Sequence, residues 1–261
     1  MIERGMQQGR TGPLHVADLA DVERPPIIMV PGLDGTALLF YRQLPLLAKA
    51  FDVVVFPLPD DSRATMSGLV EGLHRLINEL SDRGAILVGE SFGGALSMST
   101  ALAHPDDVRG LVIVNSFPWW PDRGQLWVAP RLLRVLPWGA MPVVRAFTES
   151  RLHSSHALDE DLAEFHTRSR AIGREGYIRR LEILWDYDIR SRLRSMCPPT
   201  LFLGADEDRL VPSVYWAHYM ADRVPRSDVT ILKGYGHICL VNHDLDLLDH
   251  LAPWWATATT L

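Results

Sequence analysis

Lysine is nearly missing from this chain: Lys49 and Lys233 are its only representatives among 26 basic residues, and arginine supplies the rest. Set against 32 acidic residues, this gives a formal net charge of −6. That balance argues against nucleic acid or an anionic membrane surface as the main partner. Cysteine is equally scarce, and Cys197 and Cys239 make neither a disulfide framework nor a plausible metal centre. No run approaches the ~18 uninterrupted apolar residues of a membrane span. The opening stretch from Met1 to Arg10 lacks the apolar middle of a secretory leader. Internal repeats and low-complexity tracts are also missing. These deficits together lead to the expectation of a reduced, cytoplasmic protein.

What is present has ordinary globular proportions. The 261 residues are 47% hydrophobic and 22% charged, enough for one α/β domain with an insertion and a large core. Short apolar blocks at Ile27–Val30, Val53–Leu58, Ala85–Val88, Leu111–Asn115, Leu201–Gly204 and Val229–Leu232 carry no polar alternation, as expected of strands covered on both faces. Helical stretches around Phe40–Ala48, Met66–Leu80, Ser91–Ala103, Val214–Ala221 and Cys239–Leu251 lie between and after them. This alternation predicts right-handed crossovers and a mostly parallel central sheet flanked by helices. Residues 11–24 give a poor signal for a short leading strand or hairpin.

The rhythm breaks between Ser116 and Ser195. The stretch opens on Phe117-Pro118-Trp119-Trp120-Pro121 and then shows helical spacing at Leu158, Leu162, Phe165 and Ile172, and again at Ile178, Leu181 and Trp185. The expected organisation is a core of residues 1–115 and 196–261, with a helical cap inserted at 116–195.

The densest signal is Gly89-Glu90-Ser91-Phe92-Gly93, set between an apolar strand and a small-residue helix. Strand, Gly-x-Ser-x-Gly, helix is a nucleophile elbow, which lifts a serine hydroxyl above the end of a parallel sheet. Side chains at Gly89 and Gly93 would collide across so tight a turn. Serine is a poor nucleophile at neutral pH and needs a base, itself oriented by an acid. The chain order required in this architecture is Ser, then Asp or Glu, then His. His237 follows the last strand in Gly234-Tyr235-Gly236-His237, and Asp206 and Asp208 follow the strand before it in Ala205-Asp206-Glu207-Asp208. Distance from the strand end favours Asp206, and Asp122 is a remote third acid. After the first strand, Pro31-Gly32-Leu33-Asp34-Gly35-Thr36 is a turn where backbone N–H groups can approach a developing oxyanion. The amides of Leu33 and Phe92 are the two expected donors.

Taken together, the Pro31-Gly32-Leu33 turn, the elbow, His104-Pro105, Asp208-Arg209-Leu210-Val211-Pro212 and Gly236-His237 resemble the α/β-hydrolase superfamily over nearly the whole chain. Pro-Gly-Leu-Asp-Gly-Thr with Gly-Glu-Ser-Phe-Gly-Gly is similar to bacterial esterases and to the hydrolase-like half of plastid phytyl-ester synthases. The resemblance implies a serine carboxylic-ester hydrolase with Ser91 as nucleophile, His237 as base and Asp208, selected by the Asp-x-x-Val-Pro spacing, as acid. It implies no metal and no organic cofactor. An acyltransferase or lipid-ester synthase with the same triad is the alternative, and a ligand-binding receptor on a hydrolase scaffold is a more distant one.

Other residues have plainer readings beside the functional ones. Ser91 is also a possible helix N-cap, and Asp34 before Gly35 is first a turn residue. Trp119, Trp120, Trp127 and Trp138 crowd the start of the cap. There they either line an apolar acyl or alcohol pocket, with Trp119 and Trp120 as candidates, or pack the cap itself. His153, His156 and His166 are expected at the surface, Cys239 as a small buried apolar residue, and Asp244–Asp249 as a solvated face of the last helix.

Overall fold

The computed structural model describes residues 24–137, 152–153 and 157–259. The possible leading strand, Trp138 and His156 lie outside the described residues. Six strands form the sheet: β1 (Ile27–Val30), β2 (Val53–Val55), β3 (Ala85–Glu90), β4 (Val108–Val114), β5 (Thr200–Ala205) and β6 (Ser227–Leu232). Their spatial order is β2-β1-β3-β4-β5-β6, and every pairing is parallel. Each expected strand is found. The second is shorter than expected, because beyond Val55 the chain leaves the ladder into the loop around Pro57 and Pro59, whose prolines have no N–H to give it.

The helices are α1 (Gln43–Leu47), α2 (Met66–Leu80), α3 (Phe92–Ala103), α4 (Arg123–Val135), α5 (Asp159–Ser169), α6 (Arg174–Ile183), α7 (Ser213–Ala221) and α8 (Leu247–Ala258). Successive strand residues point to opposite faces, so Ile28 and Val30 join a core with Leu69, Leu73 and Ile77 of α2, Leu96 of α3 and Trp216 of α7. Ile27 and Met29 join the opposite core with Leu47 of α1 and Leu248, Leu251 and Trp255 of α8. Both faces are thereby covered, which is why the strands read as uninterrupted apolar blocks.

Two helix expectations needed correction. Phe40–Ala48 divides into a 3-10 turn at Ala37–Phe40, started by the Thr36 side chain, and the short α1. Cys239–Leu251 is only a 3-10 turn at Cys239–Val241 before α8 begins at Leu247. Asp246 accepts from the Leu248 N–H at 2.9 Å and caps α8. Asp244 and Asp246 are thus the approach and the cap, only Asp249 lies on the exposed face of the helix, and Leu245, Leu247 and Leu248 are buried between the acids.

Between β4 and β5 the described residues contain helices and no strand longer than a bridge. This segment is anchored at its base by the Ile189 N–H donating to the Pro118 carbonyl at 2.9 Å. A second tie runs from the Ile238 N–H to the Leu152 carbonyl at 3.0 Å. Among the described residues no helix is long and apolar enough to cross a membrane.

Candidate active site

Strand order creates the site. The chain passes from β1 outward to β2, then returns to place β3 on the other side of β1, so loops after β1 and β3 diverge from a common crevice. The register pairs Val30 with Gly89, which sets the Pro31–Thr36 turn beside the elbow. Contact is close enough that a Cβ on Gly93 would fall 1.9 Å from the Val30 carbonyl oxygen, and one on Gly89 would fall 2.4 Å from that of Gly93. The steric reading of both glycines is thus met by the geometry.

Ser91 sits at φ 54°, ψ −117°, a strained conformation for a residue with a Cβ. Its N–H donates to the Val114 carbonyl at 2.9 Å, and its own carbonyl accepts from Ser116 Oγ at 2.7 Å. Although it precedes α3, its side chain makes no capping bond. The hydroxyl instead lies 3.1 Å from His237 Nε2. The other ring nitrogen, Nδ1, lies 2.7 Å from Asp208 Oδ2. Asp208 has a fully buried side chain. Its Oδ1 accepts from the N–H groups of Leu210 and Val211, both at 2.9 Å, and Ser213 Oγ donates a very short bond to Oδ2. Asp206 turns elsewhere: its Oδ1 accepts from the Gly234 N–H at 2.7 Å, and Lys233 pairs with its Oδ2. Asp122 caps α4 by accepting from the Gln125 N–H at 2.8 Å.

The Leu33 turn is closed by the Gly35 N–H donating to the Gly32 carbonyl at 3.1 Å. Phe92 is the first residue of α3, so its N–H has no acceptor within the helix. Asp34 is buried, and its Oδ2 accepts from both the Thr36 N–H and the Thr36 hydroxyl at 2.9 Å. Burial raises its pKa above the ordinary carboxylate value while the Thr36 bonds oppose the shift. Its role is the turn.

A family model for the α/β-hydrolase fold matches residues 25–244. The chain belongs to the α/β-hydrolase family. Proteins carrying the provisional name carbamate hydrolase RutD are among its relatives. That of Serratia proteamaculans is 27% identical over 249 residues, covering 90% of this chain and 92% of its own. Among solved structures, an esterase from Thermogutta terrifontis superposes with a TM-score of 0.79 at 19% identity, covering 90% of each chain. The enol-lactonase of Burkholderia xenovorans superposes with a TM-score of 0.74 at 17% identity over 92% of this chain and 91% of that one. At such identities the structural likeness speaks for the α/β-hydrolase fold.

Several residues of this α/β-hydrolase site left no mark in the sequence motifs. Asn115, at φ 48°, ties three loops together. Its Nδ2 donates to the carbonyls of His237 at 2.7 Å and Gly236 at 3.2 Å, and its Oδ1 accepts from the Ala205 N–H at 2.8 Å. The only sequence hint was a polar residue ending an apolar strand. Glu90, within the elbow itself, is buried with Oε1 lacking a partner. Desolvation first, then the charges of Asp34 and Asp208, push its carboxyl well above the usual range.

The tryptophans divide. Trp120 meets Phe117 edge-on and lines a cavity of about 190 Å³ together with Leu210, Val211, Pro212 and Trp216, beside the Asp208 loop. Trp119 lies under the Arg190 guanidinium at 4.0 Å. Trp127 is 53% exposed, so it packs neither a pocket nor a core. His153 is a correction to the surface reading, since it is buried with both ring nitrogens unpartnered. Burial, followed by the neighbouring His166, lowers its pKa to about 4. Cys239 is fully buried, as its apolar reading expects.

One group of metal-ligating types stands apart from the site. Ligand atoms of Glu71, His74 and His104 lie within 4.8 Å of one another. The two imidazoles stack face to face, 3.9 Å apart and 9° from parallel, so their in-plane lone pairs do not converge on one point. Each ring already meets a carboxylate, His74 with Asp107 at 2.7 Å and His104 with Glu71 at 3.0 Å. The arrangement is a stacked pair of rings, each held by a hydrogen bond to its own carboxylate.

Proposed function

We propose that this α/β-hydrolase is a serine carboxylic-ester hydrolase working through an acyl-enzyme on Ser91. The observation that carries the reading is the hydrogen-bonded chain from Ser91 Oγ through His237 to Asp208, with a serine hydroxyl that is not spent on capping. His237 Nε2 takes the hydroxyl proton as Ser91 Oγ bonds to the ester carbonyl carbon. Asp208 holds the Nδ1–H and stabilises the imidazolium that forms. The amides of Leu33 and Phe92 stabilise the oxyanion, each such donor contributing about 3 kcal/mol to the lowered barrier. The tetrahedral adduct collapses, the C–O bond to the alcohol breaks, and His237 protonates the leaving oxygen. Water, deprotonated by the same histidine, then adds to the acyl carbon and releases the acid and Ser91.

Residues 116–195 act in this reading as a cap over the substrate. Trp120 and Trp216 give the cavity an apolar wall suited to an acyl or alcohol chain, with Asp122 and Gln125 on its polar side. The free cysteines fit a reducing, cytoplasmic setting. A second reading, hydrolysis of a carbamate, is favoured by the RutD relatives, since a carbamate also carries an acyl carbon open to attack by serine.

The test is a panel of p-nitrophenyl esters of increasing acyl length, with a matched p-nitrophenyl carbamate, run on the wild type and Ser91→Ala. Ester turnover that falls by about a thousandfold or more in the variant supports the reading. The carbamate-to-ester ratio decides between the two substrates. Full activity in a folded Ser91→Ala protein would sink both.

A further inference from the structure

Arg180, on α6, is only 3% exposed, and its guanidinium reaches backbone carbonyls. Nε donates to the Leu33 carbonyl at 3.0 Å, Nη2 to that of Asp34 at 3.3 Å, and Nη1 to that of Pro59 at 3.1 Å. Two of these acceptors belong to the turn that presents the Leu33 amide. The fork lies against Gly35, at φ +73°, where an added Cβ would fall 2.6 Å from Nη2. The same helix is tied to the loop after β2 by the Gly176 N–H donating to Asp60 Oδ1 at 2.5 Å.

A guanidinium is costly to bury, and apolar side chains would pack a helix onto this surface at lower cost. What they cannot do is fix the directions of three carbonyl dipoles with one rigid planar fork. The turn's own closing bond runs from the Gly35 N–H to the Gly32 carbonyl. Arg180 holds the next two carbonyls, those of Leu33 and Asp34. Every carbonyl from Gly32 to Asp34 therefore has a donor. An oxyanion donor helps only when it is aimed before the charge develops, and a shift of about 1 Å in a positioning element costs on the order of a hundredfold in rate.

We propose that Arg180 is a positioning residue for the oxyanion turn, so that the segment between β4 and β5 holds the reacting geometry as well as enclosing the substrate. The inference rests on the reading of Leu33 as an oxyanion donor. It assigns to α6 a part in the chemical step and not in substrate binding.

The test uses full-length Arg180→Ala and Arg180→Lys beside Ser91→Ala, with p-nitrophenyl butyrate as substrate. Two inhibitors separate the roles. Butylboronic acid forms a tetrahedral adduct on serine, whereas butyl p-nitrophenyl ether has no carbonyl oxygen to place. Loss of kcat by about tenfold to a hundredfold, with KM changed less than about threefold, is expected in Arg180→Ala. Boronate affinity should fall in step with kcat, and ether affinity should hold. Arg180→Lys keeps the charge and stem but loses the fork, so it should behave as a milder Ala variant. It carries the test if circular dichroism shows Arg180→Ala unfolded. Wild-type kcat in both folded Arg180 variants, with Ser91→Ala inactive, would overturn the positioning role alone. Equal weakening of boronate and ether would overturn it too, since that marks a general loosening. An active Ser91→Ala would overturn the reading of the site and this inference together.

Discussion

Glu90 sets a buried carboxyl within the elbow, and its burial makes stability depend on pH. Its carboxyl stays protonated in the folded protein to a pH well above the ordinary 4.5, because burial and the nearby Asp34 and Asp208 disfavour a third charge. The unfolded chain gives up that proton near its ordinary value. As pH rises through the window above 4.5, the folded state therefore holds a proton that the unfolded state has lost, and stability falls. Glu90→Gln removes this titration. Relative to the wild type, its melting temperature should climb as pH rises above 4.5, until the folded carboxyl itself ionises. Calorimetry across that range checks the slope, and parallel curves for the two proteins would refute the assignment. None of this was legible in Gly89–Gly93 as a motif, which constrains the glycines and the serine and leaves Glu90 free. Ser91, Asp208 and His237 were legible because each is read from neighbours in sequence and from chain order. Asn115 and Arg180 were not, because they act on partners about 90 to 150 positions away and carry no local pattern.

Among the elements, α2 was predicted to the residue, and the reason is a set of agreeing local signals. Leu69, Val70, Leu73 and Ile77 fall on one buried face, and Thr65 Oγ1 accepts from the Gly68 N–H at 3.1 Å to start the helix. Thr65 is exposed, so Thr65→Ala should cost about 1 kcal/mol and lower the melting temperature by roughly 2–4 °C, without touching ester turnover. Thermal unfolding alongside the p-nitrophenyl assay tests both halves of that statement. The last helix was read badly for the opposite reason. Apolar residues recur from Ile238 to Leu251, yet Leu240, Val241 and Leu245 are buried in a 3-10 turn and a loop before α8 begins at Leu247. Periodicity cannot separate a buried loop from a helix when both are apolar.

At the scale of the molecule, the core on the α1 and α8 face of the sheet joins segments about two hundred residues apart. Gln43 is fully buried and ties these segments together. Its Nε2 donates to the carbonyls of Leu240 at 3.0 Å and Leu245 at 2.9 Å, while its Oε1 accepts from the Leu247 N–H at 3.0 Å. It thus ties α1 to the 3-10 turn that follows His237 and to the start of α8. Gln43→Met, close in volume, leaves three buried backbone groups without partners and should cost about 3 kcal/mol or more. A urea melt with an unchanged slope and a lowered midpoint is the expected outcome, and a midpoint within error of the wild type would count against it.

The parallel order β2-β1-β3-β4-β5-β6 gathers Leu33, Ser91, Asp208 and His237 at one sheet edge from nearly the full length of the chain. On a ribosome these groups emerge one after another, and His237, the base of the proposed triad, comes last. A nascent chain can bury much of its apolar surface around β1, β3 and β4 and still possess no working hydroxyl. Under the proposed reading of the site, hydrolase activity waits until β6 has taken its place at the sheet's end.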